Sequence, residues 1–282
     1  MAKRKKSKKR GELWVGIGTL AAVLVILLAV AVSLPSPREI METEPPQTTL
    51  PELTEPPEPT VEPNPYGPFD FQYEGKYLTC ISGESILGID VSSHQGEIDW
   101  PQVAQAGIEF VMIRAGNRGY KYAQINEDEY ARRNYEGAKE AGLKVGVYFF
   151  SQAISVEEAI EEANFLLSVI RDWELDMPVV YDWEFVSTEA RTGQMDARSV
   201  TDCTLAFCQV IEAAGYQSMI YFNTHQAREH LILTEVDAYP FWLAMYTDRM
   251  TYKNKVEMWQ YTDQGQVPGI SGNVDMNLWF PE

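Results

Sequence analysis

The segment Pro178-Val-Val-Tyr-Asp-Trp-Glu184 is a short apolar run that ends in acidic residues. It begins at a proline, contains two valines and two aromatics, and is too short for a typical helix, so it predicts a buried β-strand. Similar runs occur on both sides of it, at Ile86–Val91, Phe110–Ala115, Val145–Phe150, Ser218–Phe222, Phe241–Met245 and Val256–Tyr261. The chain therefore predicts a sheet of seven or eight short buried strands.

Helical patterns lie between several of these strands, and they begin with a capping box or end at a glycine. They cover Glu127–Ala141, Ser155–Ile170 and Ala197–Ala214. Strands that alternate with helices form parallel sheets, and this number of strands in about 200 residues fits a closed barrel better than an open sheet. We therefore predict an α/β fold, an irregular TIM-like (β/α) barrel over residues 70–282.

The composition excludes several classes of protein. Hydrophobic residues make up 45% of the 282-residue chain, which is enough for a substantial core. Of 23 Lys and Arg residues, seven lie within residues 1–10, so the rest of the chain has 16 cations against all 41 acids. So acidic a body should repel nucleic acid, and no Gly-rich phosphate-binding motif follows the early strands. We therefore expect no nucleic-acid partner.

The N-terminus predicts a membrane segment. Trp14–Leu34 is an uncharged run of 21 residues, which as a helix would span about 30 Å, the thickness of the hydrocarbon core. We predict a transmembrane helix over residues 13–34, with the basic tail of residues 1–12 in the cytoplasm by the positive-inside rule. The alternative is a signal peptide cleaved after Ala29-Val-Ala31, which would leave a secreted protein. The length of the apolar run favours the uncleaved anchor.

The next segment, residues 35–69, has the composition of a spacer. Eleven of the sixteen prolines and seven glutamates lie within residues 35–68. Proline and glutamate at this density cannot bury a core and favour extended conformations. We therefore predict a disordered Pro/Glu-rich linker outside the membrane, which holds the barrel away from the bilayer and adds no stability to it.

In barrels of this type the reacting groups lie at the carboxyl ends of the strands. Acidic, basic, aromatic and amide side chains end the predicted strands or follow them directly. They are Asp90, Arg114, Tyr148, Asp182, Glu184, Tyr221, Asn223, Trp242 and Tyr246, and Asp275 adds a carboxylate near the end of the chain. We therefore expect these side chains to line the mouth of the barrel.

Asp182 and Glu184 are the strongest chemical signal. In a strand, residues two apart point to one face, with Cα atoms about 6.5–7 Å apart. Neighbouring carboxylates raise each other's proton affinity, so one can stay protonated while the other is charged, as glycoside hydrolysis requires. The alternative is a solvated strand end or a salt bridge to Arg114. The additional carboxylates Asp90 and Asp275 favour the catalytic interpretation.

The remaining candidates have two interpretations each. Tyr148, Trp242 and Tyr246 suit either the packed barrel interior or stacking against the apolar face of a sugar. Arg114 suits a salt bridge to a nearby carboxylate better than contact with a substrate acid. The histidines and cysteines show no zinc spacing, so we expect no metal ion and no cofactor, and we expect the cysteines of the third helix, Cys203 and Cys208, to pack.

Seven segments of the chain together resemble the ordered motifs of glycoside hydrolase family 25, the lysozyme-type muramidases. The resemblance covers residues 86 to 280, and the ordered set is more specific than any one motif. The segments are Gly88-Ile-Asp-Val-Ser-Ser-His-Gln-Gly-Glu-Ile-Asp-Trp100, Phe110-Val-Met-Ile-Arg-Ala-Gly116, Gly146-Val-Tyr-Phe-Phe-Ser151, Pro178-Val-Val-Tyr-Asp-Trp-Glu184, Trp242-Leu-Ala-Met-Tyr246, Trp259-Gln-Tyr261 and Gly269-Ile-Ser-Gly-Asn-Val-Asp-Met-Asn277.

The resemblance implies an enzyme that cleaves the β-1,4 bond between N-acetylmuramic acid and N-acetylglucosamine in peptidoglycan. It implies that Glu184 is the general acid, that Asp182 is its neighbouring carboxylate, and that Asp90 and Asp275 complete the site. Phe149 departs from the family pattern, in which many members have His after the tyrosine, and this puts one substrate contact in doubt.

Two other functions stay open on the sequence alone. The first is a catalytically weak barrel that only binds cell-wall glycan, and the second is another barrel glycosidase that acts on chitin-like glycan. Within the muramidase interpretation, Asp182 either attacks the sugar or steadies an intermediate formed by the acetamido group of the substrate. A membrane-anchored protein with its barrel outside the cell would have the wall within reach.

Overall fold

A computed structural model describes residues 61–281. The predicted transmembrane helix of residues 13–34 and most of the predicted linker lie outside the described residues. No helix within residues 61–281 is long and apolar enough to cross a membrane.

Eleven strands and six α-helices follow one another along the described chain. The strands are β1 (Phe71–Glu74), β2 (Tyr77–Cys80), β3 (Ile86–Val91), β4 (Phe110–Arg118), β5 (Ile125–Glu127), β6 (Lys144–Ser151), β7 (Val179–Trp183), β8 (Ser218–Asn223), β9 (Phe241–Ala244), β10 (Met258–Gly265) and β11 (Val274–Trp279). The helices are α1 (Trp100–Gln105), α2 (Ala131–Glu140), α3 (Val156–Ile170), α4 (Ala197–Ala213), α5 (Thr224–Glu229) and α6 (Leu233–Val236).

Eight of these strands close into a barrel, as predicted. Strands β3, β4, β6, β7, β8, β9 and β10 are parallel neighbours in that order, and β11 closes the barrel by pairing antiparallel with both β10 and β3. The seven parallel strands are the seven predicted apolar runs. The eighth strand, Val274–Trp279, is not one of the seven apolar runs, because Asp275 and Asn277 interrupt its apolar residues.

The three predicted helices are present as α2, α3 and α4. Helix α2 begins at Ala131 instead of Glu127, because Ile125–Glu127 forms the short strand β5 on the outer edge of β4. Ser155 caps α3 by accepting a hydrogen bond from the backbone N–H of Glu158, as the sequence predicts.

Two apolar layers hold the barrel together. The interior is filled by large side chains that include Phe110, Met112, Trp242 and Met258. The second layer lies between the strands and the surrounding helices, and the free thiols of Cys203 and Cys208 are buried there. Because side chains alternate along a strand, every second residue of each strand contributes to each layer.

The N-terminal segment (residues 61–80) packs against the side of the barrel that has no helix. Phe71 contacts Trp259 of β10 with ring centroids 4.9 Å apart, and Tyr66 contacts Phe280 just after β11 at 4.8 Å. The backbone N–H of Asn64 donates a hydrogen bond to the carbonyl of Lys253 at 2.8 Å. The barrel unit therefore begins before residue 70, because residues 61–69 of the predicted linker contact it.

Candidate active site

A cavity of about 150 Å³ opens at the carboxyl ends of the parallel strands. Nine of the ten predicted site residues line it, and Phe150 and Gln260 complete its wall. The nine are Asp90, Arg114, Tyr148, Asp182, Glu184, Tyr221, Trp242, Tyr246 and Asp275. Strand direction explains the convergence, because all of the parallel strands end at this edge of the barrel.

Asp182 and Glu184 face the cavity because of the alternation along β7. Tyr181 and Trp183 point outward into the layer beneath the helices, so the residues between and beyond them point inward. Asp182 is 5% exposed, and its Oδ1 atom has no hydrogen-bond partner among residues 61–281. Glu184 lies one layer closer to the mouth and is half-buried.

Both carboxyls of this pair have raised pKa values, as predicted. Burial is the first cause at Asp182 and raises its pKa well above the usual value, and the charges of Glu184 and Asp90 add to the effect while Arg114 opposes it. Burial and then the charge of Asp90 raise the pKa of Glu184. The sequence predicts a rise through repulsion within the pair, but burial is the first cause for both carboxyls.

Asp90 and Asp275 form a second pair opposite the first. They are direct partners in the register of β3 and β11. Oδ2 of Asp90 accepts hydrogen bonds from the side-chain amides of Gln260 and Asn277, both at 2.8 Å. Burial raises the pKa of Asp90, and burial together with the charge of Asp90 raises that of Asp275 to about 8. The pKa values of all four carboxyls are therefore raised.

Arg114 is held by a carboxylate outside the two pairs. Its Nη2 atom lies 2.7 Å from Oδ2 of Asp128, and Nη2 also donates to the hydroxyl of Ser93 at 3.1 Å. The expected neutralising role is therefore observed, but its partner is Asp128, which follows β5. Arg114 still contributes a positive charge to the cavity wall, and that charge lowers the proton affinity of Asp182.

The aromatic residues divide between packing and exposure. Trp242 is 1% exposed, and its indole N–H donates to Oδ1 of Asn277 at 2.8 Å. Tyr148 and Tyr221 pack edge-on against Trp242, so these three rings form the floor of the cavity. Tyr246 is 55% exposed and offers its ring to a ligand, while its hydroxyl donates to Oε1 of Gln260 at 3.1 Å.

The structure revises two details of the predicted site. Asn223 does not line the cavity, because its side chain caps α5 by accepting hydrogen bonds from the backbone N–H groups of His225 and Gln226. Phe149 is fully buried beneath the helices, and the neighbouring Phe150 lines the cavity instead. The doubt that Phe149 raised about a substrate contact therefore does not apply.

Gln260 also lines the cavity, although it is not one of the residues that the sequence predicts there. Its amide contacts Asp90, and its Oε1 atom accepts from the hydroxyls of Tyr221 and Tyr246, each at 3.1 Å. The available signal was its place between Trp259 and Tyr261, a polar residue on the inner face of a buried strand. No group of His, Cys, Asp or Glu residues in the described part of the chain is arranged to hold a metal ion.

Comparisons with known proteins agree with this geometry. The sequence model of Glycosyl hydrolases family 25 matches residues 89–270. The autolytic lysozyme of Clostridium acetobutylicum is 29% identical over 191 residues, which are 67% of this chain and 54% of that protein. The modular autolysin LytC of Streptococcus pneumoniae, solved in complex with a synthetic peptidoglycan ligand, is 25% identical with a TM-score of 0.59 over 70% of this chain and 47% of its own.

A third similarity concerns the fold alone. A family 25 glycosyl hydrolase from Bacillus anthracis is 20% identical, with a TM-score of 0.61 over 75% of this chain and 95% of that one. The chain thus spans nearly the whole of that barrel but only about half the length of the autolytic lysozyme and of LytC.

Proposed function

The chain belongs to Glycosyl hydrolases family 25, and from that membership we propose that it is a muramidase that cleaves the β-1,4 bond between N-acetylmuramic acid and N-acetylglucosamine in peptidoglycan. One observation carries the proposal: the four acids Asp90, Asp182, Glu184 and Asp275, which lie far apart in sequence, line a single cavity at the mouth of the barrel. The autolytic lysozyme and the peptidoglycan complex of LytC support the choice of substrate.

We infer the roles of the central pair from their positions in the cavity. Glu184 lies nearer the mouth and can reach the oxygen of the scissile bond, whereas Asp182 is almost inaccessible behind it. A positive charge that develops on the sugar stabilises an anion beside it. The transition state therefore favours a charged Asp182 with the proton on Glu184, which can then be donated to the leaving oxygen.

Asp182 can act in two ways after the bond breaks. It either attacks the anomeric carbon or steadies the intermediate that the acetamido group of the substrate forms with that carbon. Incubation with a 2-fluoro glycoside followed by mass spectrometry of the protein separates the two routes. A covalent adduct on Asp182 supports direct attack, and an unmodified protein that is inhibited by a thiazoline analogue supports the acetamido route.

The test of the proposed function is Glu184→Gln. The amide keeps the shape of the side chain but cannot donate an acidic proton, and general acid catalysis contributes about 10²–10⁴-fold in rate. We expect turnover of purified peptidoglycan to fall at least about a hundredfold, measured as new reducing ends, with folding and glycan binding retained.

Glu189→Gln is the matched control, because Glu189 is an exposed carboxylate in the same loop. It should hydrolyse peptidoglycan like the parent. Parent-like hydrolysis by Glu184→Gln would show that the acid is misassigned. A parent protein that binds glycan tightly without cleaving it would support the wall-binding alternative.

For the location of the enzyme we propose a single-pass anchor over residues 13–34, with the N-terminus cytoplasmic and the barrel at the wall. The seven cations before the apolar run and the Pro/Glu-rich stretch after it support this topology. Protease added to intact cells should remove the barrel and leave a short membrane stub. A mature protein that begins near Val32 would instead demonstrate cleavage and secretion. In either form the enzyme would act in remodelling or breakdown of the wall.

A further inference from the structure

Glu184 lies beyond the hydrogen-bonded part of β7. The ladder with β6 ends at the pair Ser151–Trp183, and the ladder with β8 ends at Asp182–Tyr221. Burial and the charge of Asp90 raise the pKa of Glu184, and neither effect fixes the position of its carboxyl. The placement of this carboxyl therefore depends on what fixes the backbone around it.

Gln152 holds the backbone carbonyl of Glu184. Its Nε2 atom donates to that carbonyl at 2.7 Å and to the carbonyl of Ser151 at 2.8 Å. Its Oε1 atom accepts from the hydroxyl of Thr192 at 3.3 Å. Gln152 is fully buried, and a buried amide is tolerated only when its polar atoms are paired. The side chain thus links the end of β6 to the residue after β7.

Gln226 holds the preceding carbonyl from the other side. Its Nε2 atom donates to the carbonyl of Trp183, and its Oε1 atom accepts from the backbone N–H of Asn223 at 2.8 Å. Gln226 is 1% exposed. Asn223, which the sequence suggested as a substrate contact, therefore supports this second amide through the first turn of α5.

Arg191 in turn holds the backbone of Gln152 in place. Nη1 of Arg191 donates to the carbonyl of Gln152 at 2.6 Å, and the guanidinium makes two hydrogen bonds to the carboxylate of Glu158, at 2.7 and 2.8 Å. Bidentate pairs of this kind have a fixed geometry. Arg191, in the loop after β7, thereby connects helix α3 to the backbone of Gln152.

We propose that Gln152 and Gln226 are positioning residues, whose side-chain amides fix the backbone on both sides of Glu184 and so hold its carboxyl in the cavity. The proposal rests on the proposed function, in which Glu184 is the acid. Displacement of a reacting group by about 1 Å can cost about 10²-fold in rate. Two buried amides on adjacent carbonyls restrict such displacement where the sheet no longer does.

The test replaces Gln152 with methionine, which has a similar length and no N–H donor. We expect Gln152→Met to lower kcat about 10- to 100-fold while KM changes less than about threefold, because the acid is displaced but the cavity wall is intact. Gln194→Met is the matched control. Gln194 lies exposed in the loop after β7, the loop that contains Arg191 and Thr192. Its Nε2 atom also donates to a backbone carbonyl, that of Gly193 at 3.2 Å. It should behave like the parent.

A titration separates positioning from a loss of structure. When the backbone of Glu184 is released, its carboxyl becomes more accessible to water, and its raised pKa falls towards the ordinary value. The protonated acid is then lost at lower pH, so the basic limb of the kcat/KM profile should move to lower pH. The carbon-13 NMR titration of the Glu184 carboxyl should show the same shift without any turnover.

The outcomes are distinct. If Gln152→Met is folded, with kcat and the Glu184 titration unchanged, the proposal is wrong, and an equal loss in Gln194→Met also overturns it. If Gln152→Met does not fold, kcat and the Glu184 titration are measured for Gln226→Met, and unchanged values there would overturn the proposal. Parent-like activity of Glu184→Gln would show that Glu184 is not the general acid. The NMR titration would still report whether Gln152 holds Glu184.

Discussion

The N-terminal segment (residues 61–80) lies outside the part of the chain that matches the family, and Phe71→Ala measures what it contributes to the barrel. Phe71 is 8% exposed, and its ring centroid lies 4.9 Å from that of Trp259 and 5.9 Å from that of Phe280. Truncation of a buried phenylalanine to alanine costs about 3–5 kcal/mol.

The expected shift in melting temperature follows from this cost. We expect the low end of the range, about 3 kcal/mol, because a two-stranded hairpin on the surface can partly close over the gap. In a domain of this size each kcal/mol lowers Tm by about 2–4 °C, so Phe71→Ala should melt about 6–12 °C below the parent. Calorimetry of the full chain measures this shift, and peptidoglycan hydrolysis at low temperature should be unaffected.

The control is Phe69→Ala in the turn just before the same hairpin. Phe69 is 78% exposed, and its only aromatic or cation contact among the described residues is the guanidinium of Arg249, 5.8 Å from the ring centroid. Such an exposed contact contributes about 0.5–1 kcal/mol, so its Tm should fall by less than about 4 °C. If Phe71→Ala melts within about 2 °C of the parent, the segment does not take part in the cooperative unit.

Three further predictions follow from the cavity and the barrel interior. Asp90→Asn removes a negative charge that raises the pKa of Glu184, so the basic limb of the kcat/KM profile should move to lower pH; an unmoved limb would exclude this coupling. The pKa of Asp275 is about 8 in the folded protein and about 4 when unfolded, so between these values the folded state binds more protons and loses stability as pH rises. Asp275→Asn should therefore gain more Tm over the parent at about pH 8 than at about pH 4, and an equal gain at both would contradict the assignment. Gly88→Ala would place a Cβ 2.3 Å from the ring of Phe110, and this overpacking should cost about 1–3 kcal/mol in urea unfolding; an unchanged midpoint would show that the ring moves freely.

Nine of the ten predicted site residues line one cavity because the sequence signal for them is local. Eight of them lie at or just after a predicted apolar run, and parallel strands bring the carboxyl ends of these runs to one edge, while Asp275 reaches the same edge from the start of the antiparallel β11. Asn223 has the same position in sequence, but its short amide side chain caps the helix that follows at once. A strand end followed directly by a helix therefore predicts a cap as readily as a ligand contact.

The sequence by itself determined the seven parallel strands, the three long helices and the acids at the strand ends, because hydrophobic period and strand direction are properties of neighbouring residues. Only the tertiary structure decided that β11 closes the barrel antiparallel and that the N-terminal segment covers the side without helices, since both depend on pairing between distant segments. The same holds for the proton affinities, because the burial of Asp182 and the approach of Asp90 are set by the closed barrel. The positions of Gln152 and Gln226 were also decided only by the tertiary structure. They lie 32 and 42 residues from Glu184 in sequence, and only folding brings their side-chain amides to the adjacent carbonyls of Glu184 and Trp183.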